Sequence, residues 1–383
     1  MGKPTDRIGY VDGLRAVAVL SVVVFHAAVF HRTAVPGPLV PILTNLRHGV
    51  DLFFVLSGFC LSYPTLAKLH RDGSTAFDVG RYASHRFVRI VPPYWLAIAV
   101  FVLSALALRG FGYALPATLQ YGSAPVEVIK QMLFIDGDVQ FLNQSFWTLP
   151  IEFRWYFLFP ILLWVWSRSP KSFIALGGAA IVLTITKGSN INIIYLPAFM
   201  LGIVAADLHI RQIDLGKWPA IAMVALTAVT VATTQGWDDR FLPFPYLAMF
   251  AFVVMSGNSR SLRGLLSVRW LTAVGFASYS IYLVHQPIIE FAETHGTAPV
   301  IAAAIAIACG FAFWLVAERP FVETSLRVRL VGEFEQFFRK WLPRVGIARV
   351  IPLGGRHVLA SGLRAKADPP LLDVAAGAAY NPD

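Results

Sequence analysis

Tyr10-Val11-Asp12-Gly13-Leu14-Arg15, then ten apolar or small residues from Ala16 to Phe25, then His26: this stretch decides how the rest of the chain is read. A run of that character reads as membrane helix, and an ionisable side chain inside such a helix is costly, so Arg15 and His26 each need a reason to be there. Eleven residues at about 100° each make roughly three turns plus 20°, which puts both on one helix face, about 16 Å apart. One sits near the membrane surface and the other near mid-bilayer. Taken singly, Arg15 can snorkel to the headgroups and His26 can be a packing residue. Sharing a face favours a joint role. The run has no small-residue cleavage site, so it is expected to be a retained helix and not a signal peptide.

Outward from this helix, composition sets the class. With 56% hydrophobic and 14% charged residues in 383 and a mean hydropathy of +0.62, the chain holds more apolar sequence than one soluble core uses. It is expected to be an all-α, polytopic membrane bundle. Apolar segments fall at about 13–31, 49–66, 90–108, 146–166, 172–186, 193–207, 218–234, 241–256, 271–291 and 298–317, which makes about ten crossings. The pair on either side of Lys187-Gly188-Ser189-Asn190 is short enough to be re-entrant. Cys60 and Cys309, the two cysteines, lie in apolar segments and build neither a disulfide framework nor a CxxC metal site.

The net charge of +10 is topological before it is anything else. Lys68, Arg71, Arg81, Arg86 and Arg89 crowd one connection, while the opposite side carries Arg32, Arg47, Arg109, Lys130, Lys187 and Arg240. The positive-inside rule then puts both termini in the cytoplasm of a multi-pass protein of the plasma (inner) membrane, with no call for nucleic acid. Residues 1–321 form the membrane domain. The tail, 322–383, begins with Phe334, Phe337, Phe338 and Trp341 at helical spacing beside Arg339 and Lys340, an amphipathic helix suited to lying on lipid, and is expected to be disordered from about Arg364.

Four further motifs carry polar groups into apolar sequence. Asp51-Leu52-Phe53-Phe54-Val55-Leu56-Ser57-Gly58-Phe59 puts a carboxylate and a Ser-Gly pair into the second segment; small residues there also serve helix packing. Arg86-Phe87-Val88-Arg89-Ile90-Val91-Pro92 ends the basic connection, where guanidinium forks suit phosphate oxygens and equally well fix topology. In Trp147-Thr148-Leu149-Pro150-Ile151-Glu152-Phe153-Arg154-Trp155-Tyr156, Glu152 and Tyr156 are four apart and share a face, which the crossing order puts toward the outer leaflet, away from the basic connection. Ser278, Tyr282 and His285 make a polar stripe at i, i+4 and i+7 of the ninth segment.

Together these motifs resemble the membrane acyltransferase-3 family, from about residue 8 to 321. The likeness lies in Asp-Gly-Leu-Arg followed by ten residues and then His, Phe-Phe-x-x-Ser-Gly-Phe, Arg-x-x-Arg-x-x-Pro, Trp-Thr-Leu with Glu, Tyr and Pro, Ser-Tyr-x-x-Tyr-Leu-x-His, and Glu318-Arg319-Pro320. Ala16 stands where many members have Gly. The resemblance implies transfer of an acyl group, with acetyl favoured, from cytoplasmic acyl-CoA to a hydroxyl of a carbohydrate or glycosylated acceptor. His26 is the expected base, since a neutral imidazole at neutral pH can take a hydroxyl proton. Arg15 is expected to orient the first helix or meet CoA or a developing oxyanion, with Arg86 and Arg89 on the CoA phosphates. Glu152, Tyr156, Tyr282 and His285 are expected to line the acceptor side or orient His26, and Asp12, Ser57, Trp147 and Ser278 to line the site. No metal is expected: His-Glu-x-x-His, phosphate-loop, Gly-x-Ser-x-Gly and dinucleotide motifs are all missing. A secondary transporter is the rival reading, because intramembrane Arg, Glu and His also mark ion pathways. A non-catalytic scaffold gives Arg15 and His26 no reason to share a face.

Overall fold

Asp12 and Arg15 enter the structure on α1, Gly9–Phe30, whose Leu14, Ala16, Ala18 and Val19 are completely buried. The computed structural model describes residues 8–31, 35–113, 115–135, 139, 141–187, 191–233 and 239–354. The expected disordered end from Arg364 and the break at 188–190 lie outside them. Helix α2 is Gly49–Asp72, stopped by Gly73 in the left-handed conformation (φ 71°). A short strand β1, Thr75–Asp78, leads into α3, Val79–Gly110, where the Asp78 carboxylate accepts the Arg81 amide at 2.9 Å as an N-cap. Then follow α4 (Thr148–Arg168), α5 (Pro170–Lys187), α6 (Leu196–Ile210), α7 (Trp218–Thr233) and α8 (Pro243–Asn258). The chain continues through α9 (Arg269–Phe276), α10 (Ser278–Thr294), α11 (Pro299–Phe313) and α12 (Ser325–Trp341).

The architecture is all-α, as composition requires, and each expected apolar segment has a helix. Five helical stretches among the described residues are long and apolar enough to cross a membrane: Gly9–Phe30, Gly37–Asp72, Val79–Gly110, Gln144–Arg168 and Pro299–Glu323. Helices α5, α6 and α7 are apolar but shorter. Large apolar side chains point outward, among them Leu103, Phe157, Ile161 and Val300, each more than half exposed. That is the inversion of a soluble fold that lipid permits.

Helices α1 and α2 sit at the centre, and two glycine crossings hold them against their neighbours. A Cβ on Gly58 would lie 2.0 Å from the Phe199 carbonyl oxygen, and one on Gly202 would lie 2.0 Å from that of Val55, so α2 and α6 touch backbone to backbone. Likewise Gly13 of α1 abuts the Leu266 carbonyl, and Gly275 of α9 abuts that of Asp12. The Gly of each of the first two motifs is thus a packing residue, and its polar neighbours are left to face inward.

Three local features depart from the periodicity. The ninth segment is not continuous: it breaks at Ala277, so Ser278 opens α10 instead of lying mid-helix. A π-turn over Trp314–Glu318 follows α11 and turns Glu318 inward, 1% exposed, where it accepts the Ser280 hydroxyl at 2.7 Å. The tail is also tied back. Its amphipathic helix α12 packs on α3 through Phe334 against Phe87, ring centroids 4.5 Å apart, and β2 (Val350–Leu353) pairs antiparallel with β1. Phe337 and Trp341 remain half exposed on its other face.

Candidate functional site

Three cavities run through the interior in series. The first, about 160 Å³, lies among Asp12, Arg15, Tyr63, Arg89, Glu318 and Glu323. It shares Arg15, Cys60 and Arg89 with the second, about 250 Å³, which adds Ser57, Arg86, Glu152, Tyr156, Ser278 and Tyr282. The second shares Val50 and Tyr282 with the third, about 240 Å³, where His26, His48, Asp51, Gln144, Trp147 and Tyr195 are found. The motifs therefore converge on one axis. Arg15 and His26 do face inward from α1, but they open on different cavities, with the shared wall between them.

The arginine cavity is the middle one. Helix α3 begins at Val79, about eleven residues earlier than the apolar run suggested, so Arg86 is carried roughly 10 Å into the helix instead of ending a loop. Its Nε is buried and has no hydrogen-bond partner among the described residues; the same holds for the Ser278 hydroxyl, at the broken start of α10. Across from them, Glu152 Oε1 accepts the Ser57 hydroxyl at 2.7 Å and also the Tyr156 hydroxyl, one turn along α4. The shared face of Glu152 and Tyr156 is as the spacing required. Their position is not: Glu152 was expected away from the basic connection, and it shares a cavity with Arg86 and Arg89. The inward extension of α3 is the physical reason.

The histidine cavity is fixed by hydrogen bonds that decide tautomers. His285 Nδ1 lies 2.8 Å from the Tyr282 carbonyl oxygen and 3.2 Å from that of Ile281; a carbonyl can only accept, so Nδ1 carries the proton and Nε2 is left as an acceptor. His26 Nδ1 lies 2.9 Å from the Val22 carbonyl oxygen and 3.1 Å from His285 Nε2. It donates to both, and His26 Nε2 keeps its lone pair. The pair is braced from behind. Asn143 Nδ2 donates to the Leu283 carbonyl at 2.8 Å, Ser145 donates to Gln286 Oε1 through both its amide (2.8 Å) and its hydroxyl (2.7 Å), and Tyr282 donates to the Ser145 carbonyl at 2.9 Å. Thr148 Oγ1 lies 2.8 Å from the Tyr282 oxygen.

Of the residues singled out from sequence, Arg15, Ser57, Arg86, Arg89, Glu152, Tyr156, Ser278 and Tyr282 come together in the arginine cavity. His26 and Trp147 belong to the histidine cavity, His285 stands behind His26, and Asp12 lines the first cavity. Sequence reasoning missed Asn143, Ser145 and Gln286, which lie in or beside quoted motifs without a period of their own. It also missed His48, whose signal is an i, i+3 spacing to Asp51 just ahead of an apolar run. Among the described residues no cluster of three or more metal-ligating side chains occurs.

A helical bundle with outward apolar side chains and inward-facing arginines, histidines and a glutamate on a common interior axis is a polytopic membrane protein with an internal polar site. The chain belongs to the family described as Acyltransferase domain, whose family model matches residues 8–319. It is similar to the O-acetyltransferase OatA of Staphylococcus aureus (strain NCTC 8325 / PS 47), 23% identical over 82% of this chain and 56% of the relative. It is also similar to the Peptidoglycan O-acetyltransferase OatA of Listeria monocytogenes serovar 1/2a, 24% identical over 93% of this chain and 64% of the relative. The chain thus spans a little over half the length of these curated relatives. No solved structure matches it significantly.

Proposed function

We propose that this protein is a membrane O-acetyltransferase that takes acetyl from acetyl-CoA on the cytoplasmic side and esterifies a hydroxyl of a carbohydrate, as in a cell-envelope glycan, on the other side of the plasma membrane. Family membership and the names of the relatives support an acyl donor, a hydroxyl acceptor and O-acetyl transfer. The observation that carries the reading is the fixed tautomer of His26, a neutral imidazole with a free Nε2 on a cavity that meets an arginine-lined one.

Acetyl-CoA is anionic at its nucleotide end and neutral at its thioester. Arg86 and Arg89 suit the phosphates, and the cavity beyond them suits the pantetheine arm, leading toward Tyr282 and Val50. The acceptor enters the histidine cavity. His26 Nε2 takes the hydroxyl proton as the oxygen attacks the thioester carbon; the C–O bond forms, the C–S bond breaks, and the thiolate recovers that proton from the imidazolium. His285 Nε2, accepting from His26 Nδ1–H, steadies the ring while it carries the extra charge. Arg15 is a cation available to the developing oxyanion. A covalent acetyl-His26 intermediate uses the same lone pair and needs no other residue.

Incubating the purified protein with acetyl-labelled acetyl-CoA and solubilised peptidoglycan strands tests the reading. Label is expected in alkali-labile esters on the glycan. Thioester left intact, with counterflow of a solute in proteoliposomes, would contradict it and favour the transporter.

A further inference from the structure

The histidine cavity contains a second imidazole with the same electronic arrangement as His26. His48 and Asp51 lie three residues apart at the entry to α2, 6% and 2% exposed, with His48 Nδ1 2.6 Å from Asp51 Oδ2. The carboxylate accepts the Nδ1 proton, so in the neutral ring Nε2 is an acceptor. That Nε2 is buried and has no hydrogen-bond partner among the described residues, although the ring lines the cavity that His26 lines. A pair needed only to hold the start of α2 gains nothing from a stranded acceptor, because a buried polar atom without a partner is a net cost. The stranded nitrogen has a use if something that donates a hydrogen bond enters the cavity.

The rest of the wall limits what that donor is. Trp147 and Tyr195 lie side by side, ring centroids 5.5 Å apart, and offer an apolar platform, while Gln144 and the Arg47 guanidinium add polar groups at its edge. A flat apolar face with hydrogen-bond acceptors at its rim matches a sugar ring, whose C–H face is apolar and whose hydroxyls lie around its edge. We propose that His48, oriented by Asp51, is an acceptor-binding residue that receives a second hydroxyl of the sugar while the reacting hydroxyl meets His26 Nε2. His48 touches the acceptor; Asp51 is a positioning residue that acts through it. The assignment rests on the proposed O-acetyl transfer and deepens it: two fixed acceptor nitrogens select a polyhydroxylated ring over a simple alcohol, and select which of its hydroxyls reaches His26.

The test compares two acceptors, solubilised peptidoglycan strands and n-propanol, which has one hydroxyl and no ring. The readout is the ratio of their kcat/KM values, with acetyl-CoA as donor and full-length protein in nanodiscs. In His48→Gln the amide can still satisfy Asp51 but does not reproduce the imidazole nitrogen, and the ratio is expected to fall about 5- to 100-fold, the range for loss of one hydrogen bond to a buried group. Asp51→Asn, close in shape, releases the tautomer and should lower the ratio in the same direction. The KM for acetyl-CoA is expected to stay as in the wild type. A ratio unchanged in both variants, with wild-type transfer intact, would overturn the acceptor assignment alone. Wild-type protein that acetylates neither acceptor would overturn the O-acetyl transfer on which the assignment rests.

Discussion

The arginine cavity and the histidine cavity share Val50 and Tyr282 as a wall, yet they are furnished for opposite work. On one side, Arg15, Arg86 and Arg89 gather positive charge around a carboxylate already engaged by two hydroxyls. On the other, neutral imidazoles have their Nδ1 protons held by backbone or carboxylate oxygens and their Nε2 atoms left as acceptors, beside Trp147, Tyr195 and one guanidinium, that of Arg47. The first arrangement suits an anion that must be gripped from afar. The second suits a neutral donor of hydrogen bonds that must be deprotonated at one atom. The difference teaches that the site is two half-sites in line, and that each substitution should disturb one half and spare the other.

The largest expected effect lies in the histidine half. His26→Ala is expected to lower transfer about 10²- to 10⁴-fold, the range for a lost general base, while membrane insertion and gel-filtration behaviour stay as in the wild type. Full transfer by well-expressed His26→Ala would end the role. Next, Arg86→Ala with Arg89→Ala is expected to raise the KM for acetyl-CoA about 10- to 100-fold and to flatten its dependence on salt, with the acceptor KM unmoved. A pantetheine thioester lacking the nucleotide should lose little. If these arginines serve topology alone, expression falls and the KM of the surviving protein does not change.

Smaller changes sharpen the same contrast. Glu152→Ala strands the Ser57 and Tyr156 hydroxyls in the arginine cavity, so turnover is expected to drop about 10-fold and the acetyl-CoA KM to rise, again without a change in acceptor KM. A change confined to the acceptor KM would return Glu152 to the acceptor half, where the crossing order alone had put it. Ser57→Ala removes one of the two donors and leaves Tyr156, so about a 2- to 5-fold loss of turnover is expected in steady-state assays.

How far the site was legible follows from which physical signals are local. Arg15 and His26 could be placed on one inward face, and Glu152 beside Tyr156, because helical spacing is a local rule. The about-ten-segment pattern was legible for the same reason, since lipid leaves few options for apolar runs. The depth of Arg86 was not. It depends on where α3 starts, and that start is set by the Asp78 cap and by β1 pairing with β2, which is far away along the chain. The break at Ala277 and the inward turn of Glu318 are tertiary outcomes too, as is the return of the tail onto α3. His48 was passed over because a histidine three residues before an aspartate is ordinary in sequence; only its burial and its stranded Nε2 make it informative.

In the proposed transfer, donor and acceptor reach His26 from opposite sides of the membrane. Proteoliposomes of the purified protein, with solubilised peptidoglycan strands sealed inside and labelled acetyl-CoA added outside, test it most directly. Esterified glycan is expected in the lumen, and strands placed outside together with the acetyl-CoA are expected to stay unlabelled. Labelling of the outer strands with none in the lumen would contradict a site divided between two faces and would put both substrates in one cavity.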